Sequence, residues 1–313
     1  MRRDIPFADV AHSHRASIDF APPSPRGSAN TGARRTQAYP LAVSDNRAPV
    51  GAGPDVRQIL GVNVAALSGP QAVALIVDQV TRRQGGMFAF CNAHTANLAN
   101  SRADLREALR HATVFNDGIG VDLASRLLYG ASFPENLNGT DLTPALLDAL
   151  PAGTPVFLLG SRPGVAQDAA TVLEQRHGIT VVGTQHGYFT PHDEPLLLQQ
   201  IAASGAALVI VAMGNPWQEL WAARNHEALA APILCVGAFL DFAAGRVSRA
   251  PVTVRNLRLE WAYRLLQEPR RLASRYLLGN ATFLAAVLRQ RSARQVIAGP
   301  VPGPRGWTEP TGE

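Results

Sequence analysis

The chain has 313 residues, of which 46% are hydrophobic and 17% charged, so it can bury a full core as one large domain or two small ones. Its 29 basic residues are all arginine, the net charge is +5, and two cysteines exclude a disulfide framework. A run of about 20 apolar residues is missing, as is an apolar stretch after Arg2 and Arg3, so neither a spanning helix nor a signal peptide is expected.

Residues 1–54 are rich in Pro, Ser, Ala and Arg and hold no apolar period, which predicts a disordered tail. From Ile59 onward the pattern becomes one of alternating strands and helices. Short, two-sided apolar runs at Met87–Cys91, Thr113–Phe115, Val156–Leu159, Ile179–Val182, Leu208–Ala212 and Ile233–Val236 predict buried parallel strands. Amphipathic stretches at Gln71–Arg82, Ala103–His111, Val165–His177 and Trp217–Ala228 have the length of crossover helices. Pro163 and Pro216 fall at expected helix starts, and Gly178 falls just past a helix end. The fold class expected is therefore α/β: a Rossmann-like, open, mostly parallel sheet flanked by helices, over residues 55–252.

Charge is unevenly placed. Between Arg246 and Arg294 eleven arginines face only Glu260 and Glu268, so this segment carries +9 and the remainder −4. After Asp241 no strand is predicted, and residues 253–294 read as a helical, Arg-rich appendage, followed by a flexible tail at 295–313. Leu257, Trp261 and Leu265 share a face, so the appendage suits either a membrane interface or ordinary packing on the sheet domain. Its charge suits phosphates, in an anionic bilayer or in nucleic acid.

In open α/β sheets, ligands collect beyond the carboxyl ends of the strands. Several polar turns follow predicted strands here. Met213-Gly214-Asn215-Pro216-Trp217-Gln218-Glu219 follows one, and Asn116-Asp117-Gly118-Ile119-Gly120 follows another and opens the helix holding Arg126. Asp117 suits a helix cap or a general base on a hydroxyl. Leu123 stands where a dinucleotide fingerprint needs its third glycine, so a nicotinamide cofactor is not expected. Leu158-Leu159-Gly160-Ser161-Arg162-Pro163-Gly164 lacks the ending of a P-loop, yet offers a helix start to a phosphate or ribose. His186-Gly187-Tyr188-Phe189 and Val236-Gly237-Ala238-Phe239-Leu240-Asp241 add two further turns, with Asp241 placed for a sugar hydroxyl or a cap. No Asp-x-Asp pair and no metal-ligand spacing of His or Cys appears, so no metal and no cofactor is expected. A diphosphate must then be neutralised by arginine and helix N-termini.

Together these residues resemble the WecG/TagA/CpsF glycosyltransferase family (glycosyltransferase family 26), from about Ile59 to Tyr276. The resemblance rests on Asn92-Ala93-His94-Thr95-Ala96-Asn97, Asp117-Gly118-Ile119-Gly120-Val121, Gly139-Thr140-Asp141, Phe157-Leu158-Leu159-Gly160 and Gly187-Tyr188-Phe189. It continues through Met213-Gly214, Pro216, Gln218-Glu219, Gly237, Phe239, Asp241-Phe242, Ala244-Gly245 and Arg249-Ala250-Pro251. Leu259-Glu260-Trp261, Tyr263-Arg264-Leu265, Glu268-Pro269-Arg270-Arg271 and Arg275-Tyr276 complete it. It implies transfer of a hexose, with inversion, from a UDP-sugar to a polyprenyl-diphosphate-linked sugar in exopolysaccharide or cell-envelope polysaccharide synthesis. The place implied is the cytoplasmic face of the plasma membrane.

By the same resemblance Asp117 is the general base, and Gln218 and Asn92 line the sugar-nucleotide pocket. Thr95, Gly118, Arg126, Asp141, Gly160, Tyr188, Met213, Gly214, Glu219, Gly237 and Asp241 are further candidates for substrate binding. Arg264, Arg271 and Arg275 are candidates for the diphosphate, and the appendage for an anionic membrane surface. The family often has Arg where Asn136 stands. Partners expected are the donor, the acceptor and the membrane, without nucleic acid; a homo-oligomer is compatible with the sequence. The competing readings are a non-catalytic sugar-nucleotide-binding module and a nucleic-acid binder built on the Arg-rich segment with Trp261 and Tyr263 as stacking surfaces.

Overall fold

The computed structural model describes residues 55–251, 253–254, 260–267, 269 and 278–297. The tails expected at 1–54 and, past Ile297, up to residue 313 lie outside the described residues. Eight strands form one sheet: β1 (Val56–Ile59), β2 (Val62–Ala65), β3 (Gly86–Cys91), β4 (Thr113–Asn116), β5 (Pro155–Gly160), β6 (Thr180–Gln185), β7 (Leu208–Ala212) and β8 (Pro232–Cys235). Their order is β1-β2-β4-β3-β8-β7-β5-β6, and only the β1–β2 pair is antiparallel. The mostly parallel α/β sheet expected from the apolar runs is thus observed, with an added hairpin at one edge.

The main α-helices among the described residues accompany the strands, with a short 3-10 turn (Leu109–His111) after the third. They are α1 (Gly69–Thr81), α2 (Ala93–Ser101), α3 (Ala103–Ala108), α4 (Ile119–Tyr129), α5 (Gly139–Ala149), α6 (Val165–His177), α7 (Glu194–Ala203), α8 (Trp217–Asn225), α9 (Phe239–Ala243), α10 (Glu260–Gln267) and α11 (Gly279–Ile297). Strand side chains alternate between two cores, because successive residues point to opposite faces. Met87, Ala89 and Cys91 of β3 join the core under α2, α3, α4, α7, α8 and α11, while Phe88 and Phe90 join the core under α1, α5, α6 and α9.

Connections that step toward β1 (β3 to β4, β6 to β7, β7 to β8) carry their helices on the first face. Those that step toward β6 (β2 to β3, β4 to β5, β5 to β6) return by α1, α5 and α6 on the second. One hand of crossover accounts for both sets. The chain leaves β3 for the first face through α2 and leaves β8, its neighbour, for the second through α9. At the carboxyl ends of β3 and β8 the chain thus turns to opposite faces, the switch point at which open α/β sheets form their ligand crevice.

The end of the chain shares this core. Phe283 and Val287 of α11 are 4% and 0% exposed, the Asn97 side chain donates to Gly279 O at 2.7 Å, and Gln290 pairs with the backbone of Gln58 and Leu60. No helix among the described residues is long and apolar enough to cross a membrane.

Candidate active site

Six turns follow the carboxyl ends of β3 to β8, and most of the candidate residues stand in them. On the β3–β4 side, Asp117 follows β4 and donates its backbone N–H to Cys91 O at 2.9 Å, which pins it beside β3. Its Oδ2 accepts from Asn92 Nδ2 at 3.2 Å. Asn92 is the N-cap of α2: its Oδ1 accepts from the backbone amides of His94 and Thr95, each at 3.0 Å, and from the Thr95 hydroxyl at 3.3 Å. Both ends of one amide are thus engaged, one by a helix start and one by a carboxylate. Thr95 itself is fully buried.

Helix α4 begins at Ile119, two residues after Asp117, with Gly118 at its N-cap. Gly118 N donates to Asn136 Oδ1 at 2.6 Å, so Asn136 holds the Asp117–Gly118 turn. Asn116 extends the same lacing through Glu135 O at 2.8 Å and Leu137 N at 3.0 Å. Asn138 caps α5 and exchanges two bonds with Asp141, whose Oδ1 also accepts from Arg249 Nη2 at 2.8 Å. A side chain at Gly139 would come within 3.1 Å of the Phe90 ring and 3.5 Å of Val236 O, so the first turn of α5 abuts the ends of β3 and β8.

On the other side of the crevice, Gln218 in α8 is 3% exposed and spans two strands. Its Oε1 accepts from Gly214 N at 3.1 Å and from Gly237 N at 3.0 Å, joining the turns after β7 and β8. Its Nε2 donates to Glu219 Oε1 at 2.8 Å, which also accepts from Asn215 Nδ2. Glu219 is fully buried, and burial pushes its carboxyl up to about 7 against the opposing bonds from Gln218 and its own backbone.

Burial likewise pushes the Cys91 thiol far up, with further contributions from Asp117 and Glu219. Cys235 is raised by burial and then by Glu219. Both cysteines are free and buried, as their place in apolar runs predicts. They stay protonated thiols, inert as nucleophiles.

Gly160, Tyr188, Met213 and Asp241 complete the edge. Ser161 Oγ donates to Asp241 Oδ2 at 3.0 Å, tying the β5 turn to α9. Gly187 N donates to Ser161 O at 3.0 Å, and a side chain at Gly187 would lie within 3.0 Å of Met213 Cγ. Tyr188 is 70% exposed beside them.

The structure does not bring Arg126 to this edge. It sits in the last turn of α4, bonded to Ser132 and paired with Asp122 at 3.4 Å. Arg264 belongs to the backbone of α10, and Arg271 and Arg275 lie outside the described residues. Sequence reasoning missed the supports Asn136, Asn138, Ser161, Asn215 and Arg249. Their signal was available in part: each is a short polar side chain or arginine within a few residues of a turn glycine. Among the described residues no group of three or more His, Cys, Asp or Glu side chains is placed to hold a metal ion.

The sheet edge thus combines a buried amide brace, the carboxylates of Asp117, Asp141 and Asp241 and several helix N-termini, features with which open α/β sheets can hold anionic ligands and hydroxyls. Comparison with known protein families matches residues 57–296 to the Glycosyl transferase WecG/TagA/CpsF family. The chain belongs to this family of glycosyltransferases.

Proposed function

We propose that the protein is an inverting, metal-independent hexosyltransferase that moves a sugar from a UDP-sugar to a polyprenyl-diphosphate-linked sugar during exopolysaccharide or cell-envelope polysaccharide synthesis. The observation that carries this reading is the orientation of Asp117 by Asn92 at the crevice between β3 and β8. In a single displacement the acceptor hydroxyl attacks the anomeric carbon from the face opposite the nucleotide. Asp117 takes the hydroxyl proton as the new C–O bond forms, and the bond to the UDP oxygen breaks with its electron pair leaving on the diphosphate. That charge is met by backbone N–H groups at helix starts and by arginines of the C-terminal segment, for which Arg264, Arg271 and Arg275 are the candidates.

The same basic segment is the surface we assign to the anionic inner leaflet, where the lipid-linked acceptor resides. The test is Asp117→Asn in the full chain, which keeps the side-chain volume and removes the base. Transfer should fall by roughly 10²- to 10⁴-fold while UDP binding stays near that of the wild type. Full turnover by this variant overturns the assignment of the base.

A further inference from the structure

Two described carboxylic residues are almost wholly shielded, and they are treated differently by their surroundings. Asp122 is 4% exposed and has Arg126 beside it and the Phe133 amide donating at 2.9 Å. Glu219 is 0% exposed, and its Oε1 receives two neutral amides while its Oε2 has no hydrogen-bond partner. An anion held by neutral donors on one oxygen, with the other oxygen dry, is costly in an apolar core. A neutral acid there is far cheaper.

Among the described residues no cationic side chain acts on Glu219, whose carboxyl is raised by burial and opposed only by Gln218 and its own backbone. The Cys91 thiol of β3 is raised by the charges of both Asp117 and Glu219, and the Cys235 thiol of β8 by that of Glu219, so the neighbours that sense this carboxyl are neutral thiols. Helix α3 and the turn after it also pack on α8. Their polar groups are engaged elsewhere: Asp104 with Arg102, Arg106 with Ala99 O, Glu107 with Arg110, and His111 with its ring tilted against that of His226. The rise of the Glu219 carboxyl to about 7 agrees with this enclosure.

We propose that Glu219 is a positioning residue that must carry a proton for the donor to bind. As a neutral acid it orders Asn215 and Gln218, and through Gln218 the Gly214 and Gly237 turns, without adding charge beneath the crevice. Ionised, it places a second negative charge beside Asp117 and opposite the diphosphate. This rests on the reading that the donor is a UDP-sugar. Its consequence is a donor affinity that falls as pH rises, through a group that touches no substrate.

The experiment uses the full chain and Glu219→Gln, which keeps an acceptor for Asn215 and Gln218 and cannot ionise. Infrared difference titration reads the protonated carboxyl, and binding of UDP-glucose, UDP-N-acetylglucosamine and UDP-N-acetylmannosamine is measured at about pH 6 and about pH 8.5. The wild type should show a carboxylic-acid band that titrates away, and its tightest donor should weaken roughly thirtyfold at the higher pH, as the protonated fraction of a carboxyl titrating at about 7 falls. Glu219→Gln should lack the band and bind equally at both. A missing wild-type band, or the same pH dependence in Glu219→Gln, overturns the proposal and leaves the donor reading intact. Binding of none of the three at either pH overturns the donor reading and the proposal with it. Should the variant fail to fold, wild-type midpoints decide: coincidence of the band and the affinity loss supports the proposal, and separation of the two overturns it.

Discussion

The side-chain amide of Asn92 holds Asp117 and helix α2 at once, with Nδ2 3.2 Å from Asp117 Oδ2 and Oδ1 3.0 Å from two backbone amides. The two jobs are separable by substitution. Asn92→Ala loses both, so it should cost about 1 kcal/mol of stability through the missing cap and also lower transfer. Asn92→Asp keeps the cap but sets a second carboxylate against Asp117, and two carboxylates at that distance cannot both stay ionised. Melting should then lie below that of the wild type at neutral pH and recover at low pH, where one carboxyl is protonated, while transfer at neutral pH falls at least tenfold. Transfer at the wild-type rate by Asn92→Asp would mean that this bond does not orient the base.

Asn92 also shows what the sequence reveals and what it hides. The runs Leu208–Ala212 and Thr113–Phe115 announce buried parallel strands because both faces of such strands are apolar. Their carboxyl ends are therefore legible, and with them Asp117 and Gly214. The β1–β2 hairpin is not, since its turn places Leu60 at φ +48° where Asn or Asp would give the usual signal. Leu60 accepts that conformation while 6% exposed, packed in the core. Helix α5 is hidden in the same way by Pro144 in its interior. At the site, pairings such as Gly118 with Asn136, Ser161 with Asp241 and Asp141 with Arg249 span 18, 80 and 108 residues. No local period encodes a partner at that separation, so the turns were readable and their cross-links were not.

Gly160 ends β5 at φ +137°, and a Cβ there would stand 2.4 Å from the Ala212 carbonyl carbon and oxygen of the neighbouring strand. Neither backbone can yield without breaking the ladder that sets the Ser161 turn. Gly160→Ala should therefore cost more than about 3 kcal/mol, from both strain and overlap. Gly153→Ala is the control: φ is +75° but nothing lies within 4 Å, so roughly 1 to 2 kcal/mol is expected. Chemical denaturation of the two variants separates the cases, and equal midpoints would refute the overlap at Gly160.

The buried Glu219 carboxyl predicts how stability depends on pH. Its ordinary value of 4.5 applies to the unfolded chain, and in the fold it rises to about 7. Between these values the folded state holds more protons than the unfolded state, so stability falls as pH rises and levels off above about 7. The loss is roughly 3 kcal/mol, from a carboxyl that is fully enclosed. Glu219→Gln should remove that slope and melt higher than the wild type at about pH 8. Parallel stability curves for the two proteins between these pH values would show that Glu219 ionises as freely in the fold as in the unfolded chain.

Helix α11 bears on the proposed membrane contact. Phe283 and Val287 point into the core, whereas Leu284 and Leu288, one position further round the helix, are 40% and 46% exposed. Arg289 and Arg291 follow on exposed positions, and the helix contains no acidic residue. Helix α4, packed against it, adds Ile119 and Leu123 at 48% and 46% exposure. Apolar side chains beside arginines on a helix without acidic residues favour an anionic interface, where both burial and charge contribute. Leu284→Ser with Leu288→Ser leaves Phe283 and Val287 in place, so melting should change little. Binding to vesicles of anionic phospholipid should weaken at least tenfold, given about 1 kcal/mol for each half-exposed leucine. Vesicle binding equal to that of the wild type would assign the contact to other parts of the basic segment.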